Sequence, residues 1–273
     1  MRTAAKLAAF AAVLGLVFGV AAIAGGAVGR IHDPAVAATD AMSMEADPIR
    51  GLSVSENGFT LDLARRAVHR DRTFGLSFRI LGPDGRPVRR FDVEHTKRMH
   101  LIVVRRDLSG FQHLHPRLLS DDTWTTPLTL PQAGTYRVFA DFSVDGTPTT
   151  LADDLQVDGD VHSRELPPPS KSAETDGFRV RLTDEAVRAD SESALTFDVT
   201  RDGRPVSLQD YLGAKGHLVA LRRGDLAFLH VHPDANSLFF EATFPTRGRY
   251  RLFLQFKVAG EVHTAAFTVE VTR

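Results

Sequence analysis

The chain has 273 residues, no cysteine and a formal net charge of −1, with 43% of its residues hydrophobic and 25% charged. This is the composition of a globular protein with room for about two domains. Near-zero charge gives no long-range attraction to nucleic acid, and the lack of cysteine excludes disulfides, thiolate metal sites and cysteine nucleophiles. Any metal site must be built from His, Asp, Glu, Met or backbone oxygen.

Residues 1–30 are expected to form an N-terminal membrane anchor or signal. Arg2 and Lys6 precede an uncharged stretch from Leu7 to Gly29 that ends at Arg30. That stretch can cross a bilayer, which takes about 20 residues. Basic residues ahead of it hold the N-terminus in the cytoplasm. The expected protein is therefore single-pass in the cell membrane, with its C-terminal domains extracytoplasmic. Cleavage in the small-residue run Ala22 to Ala27 would instead release those domains as a secreted protein. Residues 31–50 lack sustained periodicity and read as a flexible tether. Met42 and Met44 in this tether are thioethers that suit Cu(I), although an incidental linker pair explains them too.

Residues 51–160 read as a first β-sandwich domain. Short alternating stretches recur at Phe59–Leu63, Phe74–Ile80, His100–Val104, Phe111–His115 and Thr135–Phe142, separated by Gly-, Pro- and Asp-rich turns. Residues 161–175 read as a Pro-rich linker, in which Pro167 to Pro169 limit how freely the domains swing. Residues 176–273 repeat the plan as a second sandwich: Phe178–Leu182 matches Phe59–Leu63, and Gly248-Arg-Tyr-Arg matches Gly134-Thr-Tyr-Arg. Gly-x-Tyr-Arg near the start of a late strand resembles the tyrosine corner of immunoglobulin-like sandwiches. The expected fold is all-β: two tandem immunoglobulin-like β-sandwich domains after an N-terminal transmembrane helix.

The chemistry lies in a hairpin that the sequence spells twice. His100 begins an apolar run, an Arg-Arg pair follows, and Phe111-Gln-His113-Leu-His115-Pro116 closes it. The second copy has His217 and then Phe228-Leu-His230-Val-His232-Pro233 at the same spacing. Self-similarity of this length reads as duplication. Residues two apart on a strand share a face, as do residues opposite one another across a hairpin. If His100 lies opposite His115 and Ile102 opposite His113, three imidazoles converge; His217, His230 and His232 would do the same. A one-residue slip would scatter them. Three imidazoles on rigid strands suit a copper ion, or zinc. The competing explanation is that these histidines support packing. Asp141 is the candidate fourth ligand, and its counterpart is Gln255. Met99 should face away from His100, and His95 and His263, which lack counterparts, read as surface residues. The tripeptide Arg223-Gly224-Asp225 is explained by the needs of a turn.

The motif His-Leu-(Ile/Val)-x-x-Arg-Arg followed by Phe-x-His-x-His-Pro resembles one found in bacterial membrane-anchored or secreted β-sandwich proteins associated with copper and heavy-metal transport. The resemblance covers both halves and the anchor. It implies an immunoglobulin-like fold and metal handling outside the membrane, next to a metal-transport system. It carries over His100, His113 and His115, with His217, His230 and His232 in the repeat.

Three functions follow. A non-catalytic metal binder would lose its ion as pH falls through about 6.5, the range of free imidazole. A zinc hydrolase built on three histidines would need a general base, for which only Glu94 and Asp141 are candidates. A structural or adhesion module would not depend on the histidines at all. No nucleophile constellation is present, so the chain reads as non-enzymatic.

Overall fold

The computed structural model describes residues 49–184, 187–229 and 231–273, with His232 and Pro233 described by their backbone alone. All belong to one compact unit, Ala46–Arg273. The apolar N-terminal stretch, the tether to residue 48 and Met42 and Met44 lie outside the described residues. Among the described residues no helix is long and apolar enough to cross a membrane.

In the first half the strands are β1 (Ser55–Glu56), β2 (Phe59–Leu63), β3 (Ala67–Val68), β4 (Phe74–Leu81), β5 (His100–Arg105), β6 (Gln112–Leu114), β7 (Arg117–Leu118), β8 (Trp124–Leu128), β9 (Gly134–Val144) and β10 (Thr147–Val157). One sheet runs β1-β2-β4-β8-β7 and the other β3-β10-β9-β5-β6. The order β2-β4-β8-β7 facing β10-β9-β5 is that of an immunoglobulin sandwich, with β6 added beside β5 as in variable-type domains.

In the second half the strands are β11 (Ser172–Thr175), β12 (Phe178–Leu182), β13 (Val187–Arg188), β14 (Glu192–Arg201), β15 (Arg204–Pro205), β16 (Gly216–Arg222), β17 (Phe228–Leu229), β18 (His232–Pro233), β19 (Phe239–Thr243), β20 (Gly248–Val258) and β21 (Glu261–Thr272). Their sheets, β11-β12-β14-β19-β18 and β13-β21-β20-β16-β17, repeat the first plan strand for strand, with β15 added at β14. Tyr250 at the start of β20 makes the expected corner: its hydroxyl donates to the Thr246 carbonyl at 2.9 Å. The first strand of this half begins at Ser172, inside the segment expected to be linker.

Alternation holds where a sheet faces water, as along β12, where Phe178, Val180 and Leu182 are buried and Arg179 and Arg181 exposed. It fails on β5. All six residues, His100 to Arg105, are buried, so the run His-Leu-Ile-Val-Val is that of a strand covered on both faces. One cover is the first sandwich's own core, where Met99, Leu101 and Val103 point. The other is the second sandwich. Ile102, Val104, Leu108 and Phe139 form one continuous core with Val219, Leu221, Leu226, Phe228 and Phe253. Within that core Phe111 stacks on Phe253 at 4.1 Å between ring centroids. Beyond the restraint expected of the Pro-rich linker, the two sandwiches are joined face to face by this apolar interface.

Candidate metal centre

The hairpin of β5 and β6 adopts the register the spacing requires. Ile102 pairs with His113 and Leu101 with Leu114, which puts His115 across from His100. One nitrogen from each of His100, His113 and His115 lies within 4.8 Å of the others. The ring centroids stand 5.2 Å apart for His100–His113 and for His100–His115, and 4.7 Å apart for His113–His115. Met99 faces the opposite way, into the sandwich core.

The hydrogen bonds around these rings fix where their lone pairs point. His100 Nε2 lies 3.1 Å from the Glu94 carbonyl oxygen. A carbonyl only accepts, so the proton of neutral His100 is on Nε2. His113 Nδ1 lies 2.6 Å from Gln255 Oε1, and Gln255 Nε2 donates to Thr264 Oγ1 at 3.4 Å, which turns Oε1 toward the ring. The proton of His113 is therefore on Nδ1. His100 Nδ1 and His113 Nε2, 3.0 Å apart, then face one another with two lone pairs and no proton between them. His115 Nε2 is buried without a hydrogen-bond partner. Protonating a ring would relieve the contact, but burial opposes it: desolvation lowers His100 and holds His113 at about 3 and His115 at about 4. A cation that accepts imidazole lone pairs fits this arrangement, with carbonyl oxygens holding the outer N–H groups as is usual behind metal-bound histidines. Tetrahedral Zn–N bonds of about 2.0–2.1 Å place ligand nitrogens about 3.4 Å apart, so small side-chain shifts close the site.

Access and neighbours follow from the strands around the hairpin. Asp141 on β9 pairs directly with His100 and accepts a hydrogen bond from Thr150 Oγ1 at 2.7 Å. A cavity of about 280 Å³ opens onto His100 and Asp141, lined also by His95, Lys97 and Pro148. His95 occupies a tight turn closed by Glu94 and Lys97. It lies not on open surface, as its lack of a counterpart suggested, but with its ring 6.1 Å from His100 and 5.6 Å from His217. His263 is likewise not a surface residue. It is 7% exposed, packs against Phe178 and lies 2.8 Å from Asp176.

The second copy departs from expectation. Leu221 pairs with Phe228 as anticipated, but β17 ends at Leu229. His232 then pairs with Glu241 of β19 in the opposite sheet, so it does not lie across from His217. In the first half the equivalent crossing waits until Arg117; here it comes two positions sooner, at His232. His230 and the side chain of His232 lie outside the described residues. His217 instead sits beside the first triad, with ring centroids 4.8 Å from His113 and 5.4 Å from His100. Its pairing partner on β20 is Gln255, the residue that orients His113. Sequence spacing gave no sign of this, because it depends on how one sandwich sits on the other. The Arg-Gly-Asp tripeptide is indeed a turn: Asp225 pairs with Arg222 and caps the Ala227 amide.

Among solved structures the chain is similar to Salmonella alpha-2-macroglobulin reacted with methylamine, at 12% identity and a TM-score of 0.30, over 82% of this chain and 15% of that one. It is also similar to FdeC, an Escherichia coli adhesin, at 15% identity and a TM-score of 0.29, over 80% of this chain and 65% of that one. Fibronectin(III)-like modules of Clostridium thermocellum CbhA match at 10% identity and a TM-score of 0.23, over 78% of this chain and 92% of that one. No curated protein sequence matches the chain. The model of the family described as Domain of unknown function (DUF8832) matches residues 53–159 and 173–273, one segment on each sandwich, and the chain belongs to that family.

Proposed function

We propose that the protein is a non-catalytic tandem-sandwich module that holds one divalent transition-metal ion on His100, His113 and His115. One observation carries this reading: His100 Nδ1 and His113 Nε2 face each other at 3.0 Å while carbonyl oxygens hold both outer ring protons. Imidazole donors suit copper or zinc rather than calcium or magnesium. The apolar stretch behind Arg2 and Lys6 supports an extracytoplasmic, membrane-anchored placement, and a metal-transport system in the same membrane is the partner such a placement calls for.

Calorimetric titration of the chain with Zn(II) and Cu(II) at neutral pH tests the reading. One ion per chain is expected, with binding abolished in the His100→Ala, His113→Ala, His115→Ala triple variant. Absence of binding by the unaltered protein, or unchanged binding by the triple variant, refutes it. A second reading, a purely structural or interaction module, is favoured by the broad apolar interface that makes the sandwiches one unit. It expects partner binding to survive loss of all three histidines.

A further inference from the structure

The triad belongs to the first sandwich, yet two polar side chains of the second sandwich reach it. Gln255 on β20 accepts a hydrogen bond through Oε1 from the His113 Nδ1–H at 2.6 Å. His217 on β16, the strand next to β20, brings its ring to 4.8 Å from His113 and 5.4 Å from His100. For a metal bound at about 2.0–2.1 Å, a ring centroid lies about 3.2 Å from the ion, so two ligand rings at a tetrahedral angle stand about 5.2 Å apart. The rings within the triad stand 4.7 to 5.2 Å apart; His217 lies within that range of His113 and just beyond it, at 5.4 Å, from His100. Because the ligand atoms that already converge are those of the triad, its ring must turn to bring a nitrogen to the ion. Three protein ligands leave one tetrahedral position to fill. Among the described residues, His217 is the imidazole from the second sandwich that lies beside His113 and His100.

We propose that the centre is shared between the two sandwiches: His217 supplies a fourth imidazole, Gln255 holds His113 in its ligating tautomer, and a bound ion clamps the second sandwich to the first. This rests on the metal-binding reading above. Linkage makes the effect reciprocal: whatever strengthens docking of the sandwiches strengthens ion binding, and the ion strengthens docking.

The test uses the full-length chain, Zn(II) for calorimetry and Cu(II) for pulsed electron paramagnetic resonance, which counts coordinated imidazoles. Expected for His217→Phe and for His217→Gln is one imidazole fewer than in the unaltered protein and a Zn(II) affinity at least tenfold lower. Gln255→Leu should keep the imidazole count and lose about 10- to 100-fold in affinity, the usual effect of removing a group that orients a ligand. Zn(II) should slow amide exchange on both β5 and β16 in the unaltered protein, and only on β5 in the His217 variants. Unaltered imidazole count and affinity in both His217 variants overturn the shared site while leaving the triad standing. A loss in His217→Phe that His217→Gln does not share is a packing effect and overturns it equally. If the unaltered protein binds neither ion, both the triad and the shared site fall.

Discussion

His113 shows what burial does to an imidazole. Its Nδ1 proton is committed to Gln255, its other nitrogen faces His100, and desolvation holds it at about 3, with His115 at about 4. Both lie below the ordinary 6.5, so the unfolded chain takes up protons before the folded one does. The stability these groups contribute is therefore complete above pH 6.5 and is lost as pH falls from there toward 4 and 3. For His113 the slope is about 1.4 kcal/mol per pH unit. Urea midpoints measured without metal should be level from pH 8 to 6.5 and fall below it, and His113→Phe should flatten the decline. The same shifts revise the pH dependence expected of an exposed histidine pair. Protons compete for His113 and His115 only near about 3 and 4, and for His100 below its ordinary value, so Zn(II) affinity should fall less between pH 7 and pH 5 than it would for three solvated imidazoles. A fall beginning at 6.5 would show that the rings are solvated. At this scale the triad was legible, since His-x-His and a lone histidine at fixed spacing set it out. His217 and Gln255 were not legible as its neighbours, because no local pattern marks a residue whose role comes from another domain, and His95 was not because a turn residue leaves no side-chain period to read.

The β5–β6 hairpin and the turn before it are the elements that make the site. The hairpin register could be read ahead because a two-residue side-chain period allows only one alignment that gathers the histidines. The early crossing at His232 could not, since it is set by pairing with Glu241 of the opposite sheet rather than by any local pattern. The turn at Glu94–Lys97 carries strain. His95 has φ of 45° and Thr96 of 69°, a region that a β-branched residue seldom occupies. The equivalent turn in the second sandwich, Tyr211 to Ala214, has Gly213 in that place, at φ 84°. The strained turn delivers the Glu94 carbonyl to His100, and backbone strain of this kind gathers at functional sites. Thr96→Gly should relieve it and stabilise the fold by about 1 kcal/mol, after the entropy a glycine adds to the unfolded chain. A higher Tm by calorimetry is the expected result; a lower one would mean that Thr96 contributes contacts worth more than its strain.

For the whole molecule, the two sandwiches form one compact unit in which β5 has no free face, and they are expected to unfold together. Phe253, 3% exposed and stacked on Phe111, lies in the joint. Phe253→Ala should cost about 3–5 kcal/mol, the usual loss for a buried phenylalanine. It should also split one denaturant transition into two, as followed by Trp124 fluorescence, which reports only the first sandwich, and by circular dichroism, which reports both. Coincident transitions in that variant would show that the coupling of the halves does not depend on Phe253. The tandem architecture could be inferred from the repeat, but the joint could not. The fully apolar run after His100 was its one trace, and an apolar run of that length is equally the mark of an ordinary core strand. The joint also has a consequence for biogenesis. A ribosome finishes the first sandwich roughly 110 residues before the last strand of its cover, an interval of about 5–20 seconds at usual elongation rates. During that time Ile102, Val104 and Phe139 lack the partners that bury them in the finished protein, so the half-made chain carries an uncovered apolar patch prone to association.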